Sequence, residues 1–577
     1  MTPYFRYFRP FVVALSLSLL VAASCARPAA PTPQLVDVQV LAFNDFHGAL
    51  EPVDGGNGRL ENNVVGGVEY LATQVARLKA QNPNTLVVSA GDNIGATPLL
   101  SSMFHDEPSV EALNDAGLQV SAVGNHEFDE GWWELLRMQR GGCHPVDGCQ
   151  DRTPFSGARF QYLSANVVVD PAAVEQDRLR RSGWTPGPNG SRTLFPASTV
   201  RTVGGIRIGL IGLVVRTAPE ILMPVSVKGL TFRDEADAAN EEVAKLTAQG
   251  VHTIIVLIHE GATPARDAYN GCEGVTGPVM EIAARLSPEV DAVVAGHVHR
   301  AYNCTVDGKL VTSGASLGRV ITDIDLKIDA RTGDVVSKSA RNTLVSRDVP
   351  ARPAATALLA HYRPFAEALG SQPVGTITAE ISRDQNDAGE SPLGDLVADA
   401  MLAAGRSASP GPAVAAIMNT GGIRAGLVGA PQPGGTLRNV TYAQAFEVSP
   451  FGNRVQVKTI TGAGILRWLE QQFDNPGPGR TTILQVAGIE FSYQPTRPAG
   501  QRVQWSDVRI GGNLLDPAAQ YRIVSNDFVW SGGDAFTAAR EGTNPVDVGA
   551  DVDVLVTYLK ANPAAQPGRQ NRITRLR

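Results

Sequence analysis

The segment VDVQVLAFNDFH at residues 36–47 decides the fold, because a continuous apolar run leads directly into Asn, Asp and His. Further apolar runs rich in Val, Ile and Leu follow at 85–89, 120–123, 206–215, 253–258 and 291–295. Such runs are typical of strands buried on both faces of a layered sheet. Helical spacing at 67–80 and 234–249 lies between them. We therefore predict a layered α/β fold.

Polar side chains follow each of five apolar runs. The runs end in Asn-Asp-Phe-His at 44–47, Asp-Asn at 92–93, Asn-His-Glu at 125–127, His-Glu at 259–260 and His-Val-His at 297–299. Ligands of open α/β sheets bind at the carboxyl ends of the strands. Five of the nine histidines belong to these blocks, whereas His105, His252 and His361 are interpreted as ordinary surface or core residues.

The residue types in these blocks limit the chemistry. Asp, His and Asn supply oxygen and nitrogen ligands without a thiolate. This set suits divalent Mn, Zn, Fe or Co better than a cysteine-type structural zinc site. We therefore predict a metal centre at the ends of the strands.

Composition excludes several classes of protein. The chain has 577 residues, 43% of them hydrophobic, with 50 Lys+Arg against 57 Asp+Glu, a net charge of −7. This is the composition of a globular protein of more than one domain. Its mild acidity argues against non-specific nucleic-acid binding, which needs a surplus of basic residues. Because the only long apolar run lies at the N-terminus, a polytopic membrane protein is excluded.

That N-terminal run has the features of an export signal. Arg6 and Arg9 precede the apolar stretch 11–23, which is shorter than the roughly 20 residues that a transmembrane helix needs. The small residues before Cys25 resemble a bacterial lipobox, which implies cleavage and lipidation of Cys25. A plain signal peptide with an incidental cysteine is the alternative. We expect an exported, periplasmic or cell-surface protein, anchored by lipid through a Pro/Ala-rich tether at 26–35.

Four cysteines remain after Cys25, an even number that suggests two disulfides in an oxidising compartment. Cys143 and Cys149 flank the loop CHPVDGC and are expected to pair locally, which leaves Cys272 to pair with Cys304. A zinc site at the first pair is the alternative, since His144 lies between the two cysteines.

The sequence pattern divides the mature chain into two domains. The alternation of strands and helices weakens at 338–353, where Pro350 and Pro353 interrupt it, and a helix is predicted over 354–369. A unit richer in Gly and Pro begins at Pro373. We predict a signal segment at 1–25, a first domain at 36–345, a linker at 346–372 and a second domain at 373–577.

The order DFH, GDN, GNHEFD, His and GHVH resembles the calcineurin-like metallophosphoesterase superfamily. With these motifs, the segment ANV at 165–167 and the paired cysteines, the chain resembles bacterial 5′-nucleotidases over nearly its whole mature length. Their relatives are 2′,3′-cyclic-nucleotide phosphodiesterases and UDP-sugar hydrolases. The resemblance implies a layered metallophosphoesterase β-sandwich flanked by helices, followed by a second α/β domain that recognises the substrate.

The resemblance implies a pair of divalent metal ions, of which Zn, Mn, Co and Fe are the candidates, and hydrolysis by water that the metals activate. One ion would be held by Asp45, His47 and His299. The other would be held by Asn125, His259 and His297, and Asp92 would bridge the two. Some family members carry Gln at the position of His299.

The resemblance also implies a catalytic dyad. His126 lies one residue beyond the ligand Asn125 and would face the phosphate, and Asp129 would orient and charge-stabilise its imidazole. The alternative interpretation is that Asp129 only caps the helix that follows.

The second domain would recognise the nucleotide. NTGGIR at 419–424 resembles the family's nucleotide-binding loop, with Arg424 on phosphate and Asn419 on the base edge. By the same resemblance, Phe451 and Phe528 would sandwich the base and Asp534 would bind the ribose. The alternative for both phenylalanines is core packing.

One departure from the family pattern concerns the phosphate clamp. The family commonly places one or two more arginines before the SPLGD segment at 391–395, whereas this chain has only Arg383, among several acidic residues. Cyclic or diester substrates therefore remain open.

These features predict an exported, monomeric 5′-nucleotidase that releases phosphate and nucleoside from small-molecule nucleotides. It would bind no nucleic acid and contact the membrane only through its lipid anchor. The alternatives are a 2′,3′-cyclic-nucleotide phosphodiesterase or a UDP-sugar hydrolase with the same site. From a different class, the alternative is an inactive surface lipoprotein that binds nucleotides.

Overall fold

The computed structural model describes residues 1–2, 34–52, 59–60, 63–266, 268–473, 475 and 481–577. The predicted export segment, Cys25 and most of the tether lie outside the described residues. In the part of the chain that is described, no helix has the length and apolar character needed to cross a membrane.

Two six-stranded sheets form the first half of the molecule. In spatial order, the strands of sheet 1 are Val335–Leu344, Val320–Asp329, Leu35–Phe43, Thr85–Ser89, Val120–Ala122 and Gln161–Leu163. Those of sheet 2 are Ala301–Val306, Lys309–Gly314, Ala292–Ala295, Thr253–His259, Ile206–Val214 and Ser198–Val203.

The two sheets pack face to face because their strands are apolar on both sides. Val40 and Val88 of sheet 1 and Leu257 and Val294 of sheet 2 belong to one buried cluster between the sheets. The alternate residues of the same strands, such as Leu41, pack outward against helices. Side chains alternate between the two faces of a strand, so continuous apolar runs fill both layers at once.

Helices cover the outer faces of the sandwich. They are Val68–Lys79, Leu99–Ser102, Glu107–Ala116, Trp132–Arg140, Gln176–Ser182, Glu235–Ala248 and Pro278–Arg285. The two short strands Val167–Val169 and Leu230–Phe232 pair with each other, as do Arg59–Leu60 and Asn63–Val64. The side chain of Asp234 accepts a hydrogen bond from the backbone N–H of Asp237 and so caps the helix Glu235–Ala248.

The helix Pro353–Gly370 leads into the second half, whose main sheet has five strands. In spatial order these are Gln485–Ala487, Ala415–Met418, Gln520–Asn526, Arg454–Thr461 and Thr543–Ala550. Two smaller sheets consist of Pro373–Ile377, Arg438–Thr441 and Ala430–Pro431, and of Asn513–Leu514, Val508–Ile510, Ile489–Tyr493 and Ile573–Arg575. The helices are Pro392–Arg406, Tyr442–Val448, Gly462–Glu470, Asp527–Trp530 and Asp551–Ala561.

The predicted α/β class and layered sandwich are confirmed. The strands expected at 36–43, 85–89 and 253–258 span Leu35–Phe43, Thr85–Ser89 and Thr253–His259. The helices expected at 67–80 and 234–249 span Val68–Lys79 and Glu235–Ala248. The differences of one residue at their ends reflect the capping positions, which flank a helix without belonging to it.

Both predicted disulfides are present, Cys143–Cys149 and Cys272–Cys304. The alternative of a zinc site on the first cysteine pair is therefore wrong, since both sulfurs are used in a covalent bond. The second disulfide connects the loop before the helix Pro278–Arg285 to the edge strand Ala301–Val306.

A matched pair of substitutions in sheet 1 tests the sandwich core. Val88 is fully buried between the sheets, whereas Val336 is 57% exposed on the outermost strand. Val88→Ala should lower the free energy of unfolding by about 2–3 kcal/mol through lost burial and a residual cavity. Val336→Ala should change it by less than about 0.5 kcal/mol. Denaturant unfolding of the full chain measures both, and equal effects would contradict this packing.

Candidate active site

The polar strand ends converge on one edge of the sandwich. Leu35–Phe43, Thr85–Ser89 and Val120–Ala122 run parallel in sheet 1, and Thr253–His259 and Ala292–Ala295 run parallel in sheet 2. Their carboxyl ends therefore meet. The backbone N–H of His297, which follows sheet 2, donates to Asp45 Oδ2, which follows sheet 1, at 3.0 Å.

Five of the predicted metal ligands have left-handed backbone conformations. Their φ angles are 49° for Asp45, 46° for His47, 50° for Asp92, 70° for His297 and 58° for His299. Non-glycine residues rarely adopt such angles, which cluster at functional sites where surrounding structure enforces them. Each residue turns its side chain sharply out of the end of a strand and into the shared edge.

One group of ligands consists of Asp45, His47 and His299, whose candidate ligand atoms lie within 4.8 Å of one another. The Nε2 atoms of His47 and His299 are 3.2 Å apart, and His299 Nε2 is 3.2 Å from Asp45 Oδ1. His47 Nδ1 is 2.8 Å from the carbonyl oxygen of Gly95. Because a carbonyl can only accept, Nδ1 carries the proton and Nε2 presents its lone pair to the site.

The other group consists of Asp92, His259 and His297, within the same 4.8 Å limit. His259 Nδ1 is 2.8 Å from the carbonyl oxygen of Ala90 and therefore donates to it. His259 Nε2 lies 2.9 Å from Asp92 Oδ2, yet it has no hydrogen-bond partner in the described chain. Asn125 Oδ1 is likewise buried and unpartnered there.

Asp92 belongs to the second group and also faces a histidine of the first. Its Oδ2 atom lies 2.9 Å from His259 Nε2 and 3.6 Å from His47 Nε2, while Oδ1 accepts from the backbone N–H of His126 at 2.8 Å. One carboxylate therefore faces imidazoles of the two groups at once. This is the placement required of a ligand that bridges two ions.

The donor set fits divalent metals. Buried polar atoms are normally hydrogen-bonded, so the unpartnered His259 Nε2 and Asn125 Oδ1 indicate a missing electron-pair acceptor. Burial would raise the pKa of Asp45, but His299 and His259 hold that pKa at about 2. Burial, with His259, lowers the pKa of His297 to about 3. A charged carboxylate and a neutral imidazole are the forms that bind metal. Burial would lower the pKa of His259, but Asp92 and Asp45 raise it to about 10, so this imidazole must release its proton when a metal binds.

Glu127 supports the site from beneath and was not singled out from the sequence. Its carboxylate accepts from the backbone N–H groups of Asp92 at 2.8 Å, Asn93 at 2.8 Å and Gly124 at 2.6 Å. Burial, with Asp92 nearby, raises the pKa of Glu127, whereas His259 and the backbone N–H groups of Asn93 and Gly124 oppose that rise and favour the carboxylate. Its position within the motif GNHEFD was the one sequence feature that could have indicated a role. That role depends on contacts with Asp92 and Asn93, which follow a different strand.

His126 and Asp129 form the expected pair, with His126 Nδ1 2.9 Å from Asp129 Oδ2. Burial would lower the pKa of His126, but Asp129 and Asp92 raise it. The alternative role of Asp129 as a helix cap is wrong, because Gly131 occupies the N-cap of Trp132–Arg140 and no side chain caps that helix. The His126 ring lies 5.1 Å from that of His47, centroid to centroid.

The second domain approaches the same edge. The Phe451 ring stacks on that of His126 at 6.0 Å, and the Arg424 guanidinium lies 5.9 Å from the centre of the Phe451 ring. Burial lowers the pKa of Arg424, opposed by the charges of Asp92, Asp129, Asp45 and Asp534. A cation and an aromatic ring from one domain thus face the metal-ligating edge of the other.

Asp534 and Asn419 pair beside this contact. Asn419 Nδ2 donates to Asp534 Oδ2 at 2.7 Å, Asn526 Nδ2 donates to Asn419 Oδ1 at 3.2 Å, and Asn475 Nδ2 donates to the Asp534 carbonyl at 2.6 Å. Asn419 is only 2% exposed. Asp534 has φ of 51°, and burial raises its pKa.

The remaining predicted residues lie nearby. Arg383 donates through one terminal nitrogen to the carbonyl oxygens of Ile423 and Arg424, at 2.9 and 2.7 Å. Burial lowers the pKa of Arg383, and Arg424 and Arg300 lower it further. Phe528 is partly buried against the core of the second domain, and in the described chain its ring does not contact that of Phe451.

Two neighbouring groups of metal-ligating side chains at the strand ends of a layered sandwich suit a metal-dependent phosphoesterase. Residues 38–301 match the family model for calcineurin-like phosphoesterase, and residues 373–541 match that for the 5′-nucleotidase C-terminal domain. The chain belongs to the 5′-nucleotidase family of calcineurin-like phosphoesterases, a family of phosphoester hydrolases.

Relatives support this assignment. The chain is 30% identical to cell wall protein Lmo0130 of Listeria monocytogenes, covering 96% of this chain and 70% of that protein. It is 31% identical to endonuclease YhcR of Bacillus subtilis over 91% of this chain, but spans only 40% of that relative's length. The crystal structure of a 5′-nucleotidase precursor from Thermus thermophilus matches with a TM-score of 0.75 and 28% identity, covering 94% of this chain and 99% of that one.

Removal of the Glu127 carboxylate tests its positioning role. Glu127→Gln replaces one acceptor oxygen with an amide that repels the backbone N–H groups, and should weaken divalent-metal binding about 10–100-fold. Isothermal titration with Zn²⁺ or Mn²⁺ measures the affinity. The exposed Glu281→Gln is the matched control and should bind as wild type; wild-type affinity in Glu127→Gln would contradict the role.

Proposed function

We propose that this chain hydrolyses 5′-nucleotides to nucleoside and phosphate. The observation that carries the proposal is the contact between the domains, in which Phe451 and Arg424 lie against His126 at the metal-ligating edge. A planar aromatic group and a cation beside metal ligands suit a substrate with a base at one end and a phosphate at the other.

The residues of the first domain would bind and orient the phosphoryl group. Asp45, His47 and His299 would hold one ion, Asn125, His259 and His297 the other, and Asp92 would be shared. When bound, such ions supply a Lewis acid for phosphoryl oxygens and activation of water near neutral pH. His126, held by Asp129 through Nδ1, presents Nε2 for a hydrogen bond to the phosphate as charge develops.

The residues of the second domain would hold the nucleoside. Arg424 would contact the phosphate, Phe451 and Phe528 would stack on the base, and Asp534 would accept from ribose hydroxyls. Asn419 and Asn475 both donate to Asp534. Because Asn419 is buried and engaged, we assign it to positioning Asp534 rather than to contact with the base edge.

A specific observation keeps other phosphoesters in consideration. One terminal nitrogen of Arg383 donates to two backbone carbonyl oxygens. Arg424 would therefore be the main arginine that contacts the phosphate. A relative is named an endonuclease. Cyclic nucleotides, UDP-sugars and phosphodiesters are therefore the second candidate class, whereas the set of ligands argues against an inactive binding protein, since burying these groups without metal is costly.

Export and lipid anchoring are part of the proposal. The apolar stretch 11–23 and the lipobox-like residues before Cys25 support it, as does the relative described as a cell wall protein. We propose a monomer with a catalytic domain at 36–345, a linker at 346–372 and a nucleotide-binding domain at 373–577.

Phosphate release from a substrate panel tests the function. The purified full chain would be assayed with AMP, UMP, 2′,3′-cyclic AMP, UDP-glucose and a simple phosphodiester. We expect nucleoside monophosphates to lead in kcat/KM, and a chelator to abolish turnover that added Mn²⁺ or Zn²⁺ restores. Chelator-resistant activity would exclude the metal centre, whereas higher turnover of the diester would favour the second class.

Two substitutions separate metal holding from substrate holding. Asp92→Asn removes the shared charge and should lower kcat by more than about 10³-fold, comparable to loss of a preorganised charge in an active site. Arg424→Ala should mainly raise KM, because it loosens the substrate while the metal ligands remain. Steady-state kinetics on AMP distinguish the two, and the reverse order of effects would contradict the assignment.

A third substitution tests base stacking. Phe451→Ala should raise KM for AMP about 5–150-fold, as expected for loss of about 1–3 kcal/mol of stacking, and should leave turnover of p-nitrophenyl phosphate nearly unchanged. Phe446→Ala, on the neighbouring helix Tyr442–Val448, serves as the control. Equal loss with both substrates would place Phe451 in the fold rather than in base recognition.

A further inference from the structure

A second cluster of metal-ligating side chains lies outside the active site. His105, Glu130, Glu134 and His144 each offer one ligand atom, and these atoms lie within 4.8 Å of one another. We propose that the four side chains form a third metal site for Zn²⁺ or a similar borderline divalent ion. This inference goes beyond the proposed function and does not depend on it.

The cluster joins three segments of the chain. His105 lies in the turn after the helix Leu99–Ser102, Glu130 and Glu134 lie at the start of Trp132–Arg140, and His144 lies in the loop closed by the Cys143–Cys149 disulfide. The disulfide limits the motion of that loop. An ion would therefore connect the turn at His105, the start of the helix Trp132–Arg140 and the loop closed by the disulfide.

The two imidazoles stack face to face. Their rings are inclined by 19° with centroids 3.8 Å apart. His105 Nδ1 is 2.7 Å from Glu130 Oε2, and Asp147 Oδ2 lies 3.0 Å from His105 Nε2 and 3.2 Å from His144 Nδ1. Asp147 thus contacts both rings from outside the four-residue set: its carboxylate faces His105 Nε2, as carboxylates do for metal-bound histidines, and its backbone N–H donates to His144 Nδ1 at 3.1 Å.

Glu134 is the member that ion pairing explains least. In the described chain its hydrogen bonds go to Arg137, and both use Oε1. Its side chain is 8% exposed, and it lies beside two histidines without a hydrogen bond to either in that part of the chain. Its second oxygen, Oε2, is therefore the atom that could serve as a ligand within the 4.8 Å cluster.

The donor chemistry selects the ion. Two imidazoles and two carboxylates, without thiolate, suit Zn²⁺ in a closed four-ligand site, which serves structure rather than catalysis. Glu130 directly follows Asp129, the partner of His126. The ion would therefore fix the start of the helix next to the catalytic pair without touching the substrate.

Metal content of the full chain tests the proposal. Protein equilibrated with a slight excess of Zn²⁺ and then gel-filtered would be analysed by mass spectrometry of its metals. We expect His144→Ala and Glu130→Gln each to hold one equivalent fewer than wild type, with unchanged turnover of AMP. The control His252→Ala alters a histidine whose nearest carboxylate, that of Asp334, is 3.8 Å away, and it should retain the wild-type content.

A second comparison separates the two centres. Asp92→Asn should lose metal from the active site and keep the ion at His105, whereas His144→Ala should do the opposite. Zn²⁺ should also raise the thermal midpoint of Asp92→Asn, and this rise should disappear in the double variant Asp92→Asn with His144→Ala.

The metal content of the variants can also contradict the third metal site. Equal metal content in wild type, His144→Ala and Glu130→Gln would overturn it and leave only a network of ion pairs around His105. Should His144→Ala fail to fold, Glu130→Gln decides the matter, since the Glu130 side chain is 45% exposed and its replacement is isosteric.

Discussion

The shared position of Asp92 is the constraint on which the rest of the site depends. Two cations at the spacing of two-metal hydrolases, about 3.5–4 Å, repel strongly unless an anion lies between them. In the proposed two-metal centre Asp92 would meet this need, since its Oδ2 atom lies 2.9 Å from His259 Nε2 and 3.6 Å from His47 Nε2. Its own backbone conformation is unfavourable, with φ of 50°. Glu127 stabilises that conformation by accepting the Asp92 N–H, so the second carboxylate holds the first in place.

The sandwich explains why such a strained edge persists. Parallel strands on both sheets bring their carboxyl ends to one place, and each strand is fixed on both faces by apolar packing. Buried backbone carbonyls of Gly95 and Ala90 set the tautomers of His47 and His259. The rigid scaffold therefore supplies the energy that keeps unpartnered lone pairs directed at a common centre.

The sequence was sufficient for features that repeat locally. Continuous apolar runs predicted doubly buried strands, and the polar residues after Phe43, Ser89 and Ile258 marked the functional edge. Contacts between segments that are distant in the chain could not be predicted from the sequence. Nothing near Glu127 indicates that it accepts from the loop at Asp92, and His105, interpreted as an ordinary residue, meets His144 only in the folded chain. The hydrogen bond from Asn419 to Asp534, 115 positions away, is another contact that the sequence does not indicate.

At the contact between the domains, Arg424 lies close to the carboxylates of the first domain. Arg424 is held beside Asp92, Asp129 and Asp45, whose charges oppose the effect of burial on its pKa. The same carboxylates that suit the ions therefore also hold a guanidinium in its charged form. In the proposed function, the carboxylates alone would repel the negative charge of a phosphate monoester, and bound cations on one side with Arg424 on the other would offset that repulsion. Recognition by the second domain and charge compensation in the first would then follow from one arrangement of charges.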